Sequence, residues 1–374
     1  MTTLNSSNTL IEFLVQIGDT TVPAAQVLDL TLERSIDSSI SYGTITFLDP
    51  LGLYSTLPIN LDTGISLYLT DHNKINFNNS EYKIIEITQN KTEYENGTAV
   101  NLYFVDKLYY NASQAYISKG FKEKGIYDVV KALMGDIDIG LYELDLGSKD
   151  DYTWDTITTS KAINVIDTVK KLARDRGLLV FRSKLKYALK DITELTAEPV
   201  DAMLEYKDTT LMRDFQRIIK KNSKNNSLIN NLVNLPEGKS FKYEIETKTT
   251  IPEDIKKEDI HADYKIESKL NMIVNEKSDQ EKFFYNVHRD ERGLKASYGN
   301  DLLDNVEMLI TVNGTWEADA GKMCSIESIN TDPDKPNDEF KPLAGKYLIH
   351  TCIDKITMGH FTQTLTLIRA DEKE

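Results

Sequence analysis

Residues 1 to 106 alternate apolar and polar side chains in short runs: NTLIEFLVQIG, VLDLTLERS, YGTITFLD, GISLYLT, YKIIEITQN and TAVNLYFVD, separated by Gly, Asn, Asp and Pro. A period of two puts every second side chain on the same face, so each run is predicted to be a half-buried strand. About six such strands with no helix between them predict an antiparallel barrel or sandwich, the first domain.

The pattern changes over 107–205. KGIYDVVKALMGD places Ile126, Val129, Val130, Leu133 and Met134 at helical spacing, ending near Gly135. A second helix is predicted over 161–176 in SKAINVIDTVKKLARDRG. Ser160 caps it, Ile163, Ile166, Val169, Leu172 and Ala173 line one face, and Gly177 ends it. LLVFRS and KYALKDI follow as strands joined by a basic turn at Lys184 to Lys186, which makes this block an α+β domain.

Strand patterns return in LMRDFQRIIKK and SLINNLVNL, and again in VEMLITV, GKMCSIES, GKYLIHTCIDK and FTQTLTLIR. Between them, 240–300 is highly charged and weakly periodic, with a strand at FKYEIETKT and a helical pattern around DQEKFFYNVHRDERGLKASY. The reading is a discontinuous second β-domain, 206–239 and 301–374, interrupted by a charged insertion at 240–300. The expected fold class is mainly β with α+β parts: two similar antiparallel β-barrel domains, an α+β domain between them and an insertion in the second barrel.

That similarity is legible as an internal repeat. Asp62 and Gly64 precede a strand, Tyr82 opens the next with Ile84, and Gly97 turns into AVNLYFV; Asp319, Gly321, Tyr347, Ile349 and Gly359 follow the same order before TQTLTLI. The longer C-terminal spacing fits the turn-forming loop NTDPDKPNDEFKP. Upstream, LDLTLERSIDSSISYGTITFLDP corresponds to MRDFQRIIKKNSKNNSLINNLVNLPE, each a strand, a polar connection, a strand and then Pro. On this alignment Cys324 matches Leu67 and Cys352 matches Ile87, inward positions where a thiol fills core volume.

Composition narrows the function. With 374 residues, 40% hydrophobic and 28% charged, the chain has the makeup of a folded protein of several domains. A net charge of -15 opposes binding to a phosphate backbone or to anionic lipid. Two cysteines make no disulfide framework and fit synthesis in a reducing cytoplasm. The N-terminus has no basic leader, Glu12 interrupts its apolar run, and no segment approaches the roughly 18 apolar residues of a membrane span.

Candidate chemistry is sparse. His350 and Cys352 are read as sharing a strand face on which Cys324 and His360 could complete a zinc site, but no paired ligand spacing supports it. His72, His261 and His288 lie in polar surroundings, and Asp150 with Asp151 read as a solvated turn. The basic stretch Arg217 to Asn226 reads as a strand end, with a contact patch as the alternative. Nucleophile-elbow, phosphate-loop, dinucleotide and zincin motifs are absent from the sequence, so no catalytic, cofactor or metal residue is assigned and the chain is not read as an enzyme.

Four stretches carry a resemblance. They are G-K-Y-L-I-x-x-x-x-D-K-I-x-x-G-H-F-T-Q-T-L-x-L-I-R at the end, GTWEADAGKMCSI before it, YGTITFLDPLG with LPINLDTGISLYL near the start, and YTWDTITTSKAINVIDTVKKLARDRGLLVFRSKLKYALKDITEL in the middle. Together they resemble the central baseplate hub protein of contractile-tailed bacteriophages, a family related to the N-terminal part of type VI secretion spike proteins. The resemblance implies a structural virion protein of the tail baseplate, made in the host bacterial cytoplasm. It implies a homotrimer whose six barrels form a ring, adapting the sixfold tail tube to the threefold central spike and leaving a channel for DNA. Spike and tube proteins are the implied partners, with tape-measure and wedge proteins as further candidates; specific nucleic-acid binding and membrane insertion are not expected. The lytic activity of some tail components is not carried over. The alternatives are a peripheral trimeric tail or host-attachment protein, the hub part of a type VI-like injection spike and, less favoured, an envelope hydrolase.

Overall fold

A computed structural model describes residues 10, 12–49, 59–71, 74–91, 98–117, 119–135, 143–147, 154–158, 163–175, 178–183, 186–207, 216–225, 238–244, 249–255, 306–329 and 345–370. The N-terminal strands are β1 (Glu12–Ile17), β2 (Thr20–Val22), β3 (Val27–Ser35), β4 (Tyr42–Asp49), β5 (Gly64–Thr70), β6 (Asn76–Lys91) and β7 (Thr98–Asp106). Their alternation is the expected one: Leu30, Leu32, Ile45, Phe47, Val100, Leu102 and Phe104 enter one core, while Thr31, Thr44, Thr46, Asn101 and Tyr103 stay accessible.

The middle block contains α1 (Lys107–Gln114), β8 (Tyr116–Ile117), β9 (Gly120–Lys124), α2 (Ile126–Met134), β10 (Glu143–Leu146), β11 (Trp154–Thr158), β12 (Ile163–Asn164), α3 (Val165–Asp175), β13 (Leu179–Arg182), β14 (Lys186–Lys190) and α4 (Ile192–Ala197). All five apolar residues predicted for the α2 stripe are buried, against Val165, Ile166, Val169 and Ala173 of α3. The second helix starts later than expected, because Ile163 and Asn164 pair with β8 before the chain coils. Ser160 and Gly177, its expected caps, lie outside the described residues. β13 and β14 form the expected hairpin, and β10 adds to it in parallel.

The C-terminal part holds β15 (Val200–Lys207), β16 (Gln216–Asn225), β17 (Gly238–Glu244), β18 (Thr249–Ile255), β19 (Val306–Asn313), β20 (Met323–Ile329), β21 (Gly345–Thr357) and β22 (His360–Arg369). β17 and β18 are a hairpin within the charged stretch. SLINNLVNL and the helix predicted around residue 285 lie outside the described residues.

One thirteen-stranded sheet runs through both β regions, in the order β2-β1-β5-β6-β7-β4-β3-β21-β20-β15-β16-β19-β22, with β21 also paired to β22. The repeat is visible in it. From β1 the N-terminal strands run β1-β5-β6-β7-β4-β3, and the C-terminal pairings run β15-β20-β21-β22-β19-β16, the same topological positions in the same order. Two pairs of irregularities coincide as well, although the shifts in β5–β6 and β15–β20 each occur in one copy alone. β3 bulges between Val27 and Asp29 against β4, and β16 bulges between Ile218 and Lys220 against β19; β6 bulges between Ile84 and Glu86 against β7, and β21 between Ile349 and Thr351 against β22. A bulge costs a ladder bond at one residue, so shared bulges are stronger marks of common architecture than shared strand counts.

Several expectations need correcting. The N-terminal sheet is not a closed barrel: β2 and β3 do not pair, and β3 gives its free edge to β21. The C-terminal pairings return on themselves, but only through two residue pairs between β15 and β16. Nor is that region wholly antiparallel, since β15 runs parallel to both β16 and β20. β15 and β20 lie far apart in the chain, which permits a parallel pair, and β15 thereby runs opposite to its counterpart β1, which is antiparallel to β5. The repeat alignment shifts by two residues in one strand. Ile65 faces Tyr82 and Cys324 faces Tyr347, so Cys324 corresponds to Ile65 and not to Leu67, while Cys352 and Ile87 do correspond. Likewise Gly321 corresponds to Asp62, both in the left-handed region at φ 80° and 77°, and Asp319 to Asn60. The counterpart of β4 is β19, which follows the charged stretch.

Candidate functional site

The feature that could organise an assembly is the seam where the two copies meet. Seven residue pairs, from Thr351 with Ser35 to Thr357 with Asp29, join β21 to β3 in antiparallel register. Inward alternation along β3 places Leu30, Leu32 and then Arg34; along β21 it places Cys352, Asp354 and Ile356. Opposite charges therefore meet inside the sheet. Arg34 Nε lies 2.5 Å from Asp319 Oδ1 and Nη2 lies 2.6 Å from Asp354 Oδ2, with all three side chains buried. Burial works against the guanidinium charge, but Asp319 and then Asp354 outweigh it and hold the Arg34 pKa well above its ordinary value. Gln363 Nε2 donates to the second Asp354 oxygen at 2.7 Å, and its Oε1 accepts from Thr315 N at 2.9 Å.

A second contact crosses the seam through the GTW segment. Asp71, at the end of β5, accepts from Trp316 N at 2.9 Å and from Thr315 Oγ1 at 3.2 Å. Those bonds hold the Trp316 ring between Phe77 and Phe361, at centroid distances of 4.6 and 4.4 Å, so a C-terminal aromatic fills the N-terminal core. Gly314 is required there, because a Cβ would fall 2.3 Å from the Phe361 ring.

The α+β block locks the third side. Phe181, Ala188, Ile192 and Leu195 form one cluster with Ile36 of the first copy and Ala320, Met323, Leu348 and Ile368 of the second. Asp191 and Glu194 close a capping box on α4, which holds Ile192 and Leu195 toward the cluster. The two copies thus meet through an ion cluster, an aromatic stack and an apolar wedge.

The residues weighed for zinc are not brought together. His350 is the bulged residue of β21, which breaks the alternation expected to align it with Cys352. Its Nε2 lies 2.7 Å from Asp37 Oδ2 on the accessible side, and that bond, against the opposing effect of partial burial, keeps the Asp37 pKa below its ordinary value. Cys352 is buried beside Arg34 and Asp354, Cys324 is buried in the C-terminal core where desolvation pushes its thiol pKa up, and His360 is exposed. No cluster of three or more metal-ligating side chains occurs among the described residues. His72, His261, His288, Asp150 and Asp151 lie outside them. No described helix is long and apolar enough to cross a membrane.

Sequence reasoning missed the ion cluster, although a signal was present. VLDLTLERS carries an arginine, and HTCIDKI an aspartate, where alternation demands an apolar residue. Two complementary violations on separate strands point to a buried pair.

No protein-family model and no characterised protein sequence matches the chain. Solved structures do match it. A tail protein from Neisseria meningitidis MC58 superposes with a TM-score of 0.63 at 10% identity, covering 96% of each chain. The 43 kDa tail protein of prophage MuSo2 from Shewanella oneidensis gives 0.59 at 10% identity over 96% of this chain and 98% of its own. An E. coli type VI secretion component, described as similar to the phage T4 tail proteins gp27 and gp5, gives 0.55 at 10% identity over 96% and 78%. The chain has the fold of these tail and secretion proteins.

Proposed function

We propose that the chain is a structural tail component, the central hub of a baseplate, which assembles as a homotrimer between a sixfold tube and a threefold spike. The observation that carries this reading is the duplicated strand order with its matched bulges, the copies being fused edge to edge through β3 and β21. Three chains, each with two equivalent β-units, offer six similar surfaces to a tube and three to a spike. The α+β block and the charged insertion occur once per chain and so belong to the threefold side. The fold shared with two tail proteins supports the setting, a virion tail, and the fold shared with a type VI component leaves a related injection spike as the second reading.

The same seam makes one accessible sheet face continuous from β7 through β4, β3, β21 and β22 to β19. That face presents Thr44, Thr46, Asn101, Thr311, Thr362 and Thr364 beside the exposed Tyr42, Tyr103 and Leu309, with Asp29 and Glu33 on β3 against Lys346 and Lys355 on β21. A wall mainly of hydroxyls, whose few charges offset one another, suits a bore that passes DNA without retaining it. Native mass measurement and imaging of the purified protein test the proposal. The expected result is a trimeric ring with an open centre; a monomer at high concentration that gains no larger species with tube or spike protein would overturn it.

A further inference from the structure

We infer that the seam inside the chain is repeated between chains: β16 of one copy pairs antiparallel with β6 of a second copy, with Lys224 opposite Thr88. The inference rests on the trimeric ring proposed above and adds to it the strands, the register and the chemistry of the contact.

The internal seam joins β3 of the first unit to β21 of the second. Their counterparts are β16 and β6, the second strand of the second unit and the fifth of the first in chain order when β15 and β1 lead, with the short β2 left out. Both counterparts are open where the seam would form. Among the described residues, β16 is paired on its β15 side only at Gln216 and Arg217, and β6 is bonded on its β5 side only as far as Ile84. Ile84 bonds Asp62 and Thr63 as Ile349 bonds Gly321 and Lys322, so the edge opens at the same point in both copies. Just beyond it, the carbonyl of His350 accepts from Ile36, whereas its counterpart Ile85 is 45% exposed.

The matched bulges set the register without adjustment. Glu33 faces Ile353 in the internal seam, and the corresponding positions are Lys224 and Thr88. Because each chain gives one edge and receives another, the contact is head to tail and closes when three chains complete the ring. It also removes two long open strand edges that would otherwise template aggregation.

The seams differ in chemistry. At the register positions of Arg34, Asp354 and Asp319 stand Asn225, Gln89 and Asn60. Amides can exchange hydrogen bonds across a seam without removing a charge from water, which suits a contact formed between chains already folded.

Cysteine cross-linking reads the register. Oxidised Thr88→Cys/Lys224→Cys chains should run as covalent dimers and trimers under denaturing, non-reducing conditions, because directly opposed residues fall within disulfide reach. Each single variant and the slipped pair Thr88→Cys/Ser223→Cys should not, since a one-residue slip puts the side chains on opposite faces. Glu33→Cys/Ile353→Cys should close within one chain. A native trimer that cross-links only in the slipped pair, or not at all, overturns the seam and leaves the hub reading standing; a monomer without cross-links overturns both. In a second arm, Gln89→Asp should weaken trimerisation by about tenfold or more without altering the fold, since Gln89 is exposed in the single chain, and adding Asn225→Arg should restore it. Unchanged assembly in Gln89→Asp overturns the inference.

Discussion

Arg34 is fully enclosed with two carboxylates, and removing it would strand both in a medium that cannot solvate them. Arg34→Met should therefore lower unfolding free energy by about 3–5 kcal/mol, read as a shifted denaturant midpoint at constant slope. Adding Asp319→Asn and Asp354→Asn to that variant should recover part of the loss, because the cluster then holds no buried charge. A single-variant cost under about 1 kcal/mol would mean that water reaches the cluster. At Asp37 the sign runs through pH. A carboxylate held below its ordinary pKa stabilises the fold above that ordinary value and loses this contribution as pH falls through the depressed one. Carboxyl NMR should find Asp37 titrating below the usual aspartate range, and His350→Ala should move it back up, since the His350 bond is the main cause of the shift.

Gly321 and Asp62 test the correspondence of the two copies at the level of whole turns, because the same left-handed position is filled by different residues. A Cβ on Gly321 would lie 2.4 Å from the Phe181 ring and adopt a disfavoured backbone. Gly321→Ala should cost about 1–2 kcal/mol for the conformation and about 1–3 more for overpacking, whereas Asp62→Gly should change stability by less than about 1 kcal/mol, as calorimetry can compare directly. This position also marks the limit of what could be read from the sequence. Alternation located the strands and the α2 stripe, because period-two and helical patterns are local. It aligned Gly64 with Gly321 because glycines catch the eye, whereas hydrogen bonding pairs Gly321 with Asp62. The parallel entry of β15 and the joining of β3 to β21 were invisible to it, since both depend on contacts between residues far apart in the chain. Among site residues, the thiols were read as core and are buried, while the Arg34 cluster needed two inward charges on separate strands to be noticed together.

At the scale of the assembly, the proposed bore turns a composition argument into one about a particular surface. A net charge of -15 says only that the whole chain repels a polyanion; what a passing DNA would meet is the face carrying Thr44 and Thr364. Lysines placed there would be concentrated by the ring, six on one inner wall, and their combined field would bind phosphate with a steep salt dependence. Lysines at Asp128 and Ala132, on the exposed side of α2, would be equal in number but would not converge. The Thr44→Lys/Thr364→Lys trimer should accordingly retain a short DNA duplex at low salt and release it as salt rises. The α2 variant should retain far less, and dilution to the monomer should abolish the difference between them. If the two trimers held DNA equally well, the hydroxyl face would not line the channel, and the wall would have to be sought on another surface of the same fold.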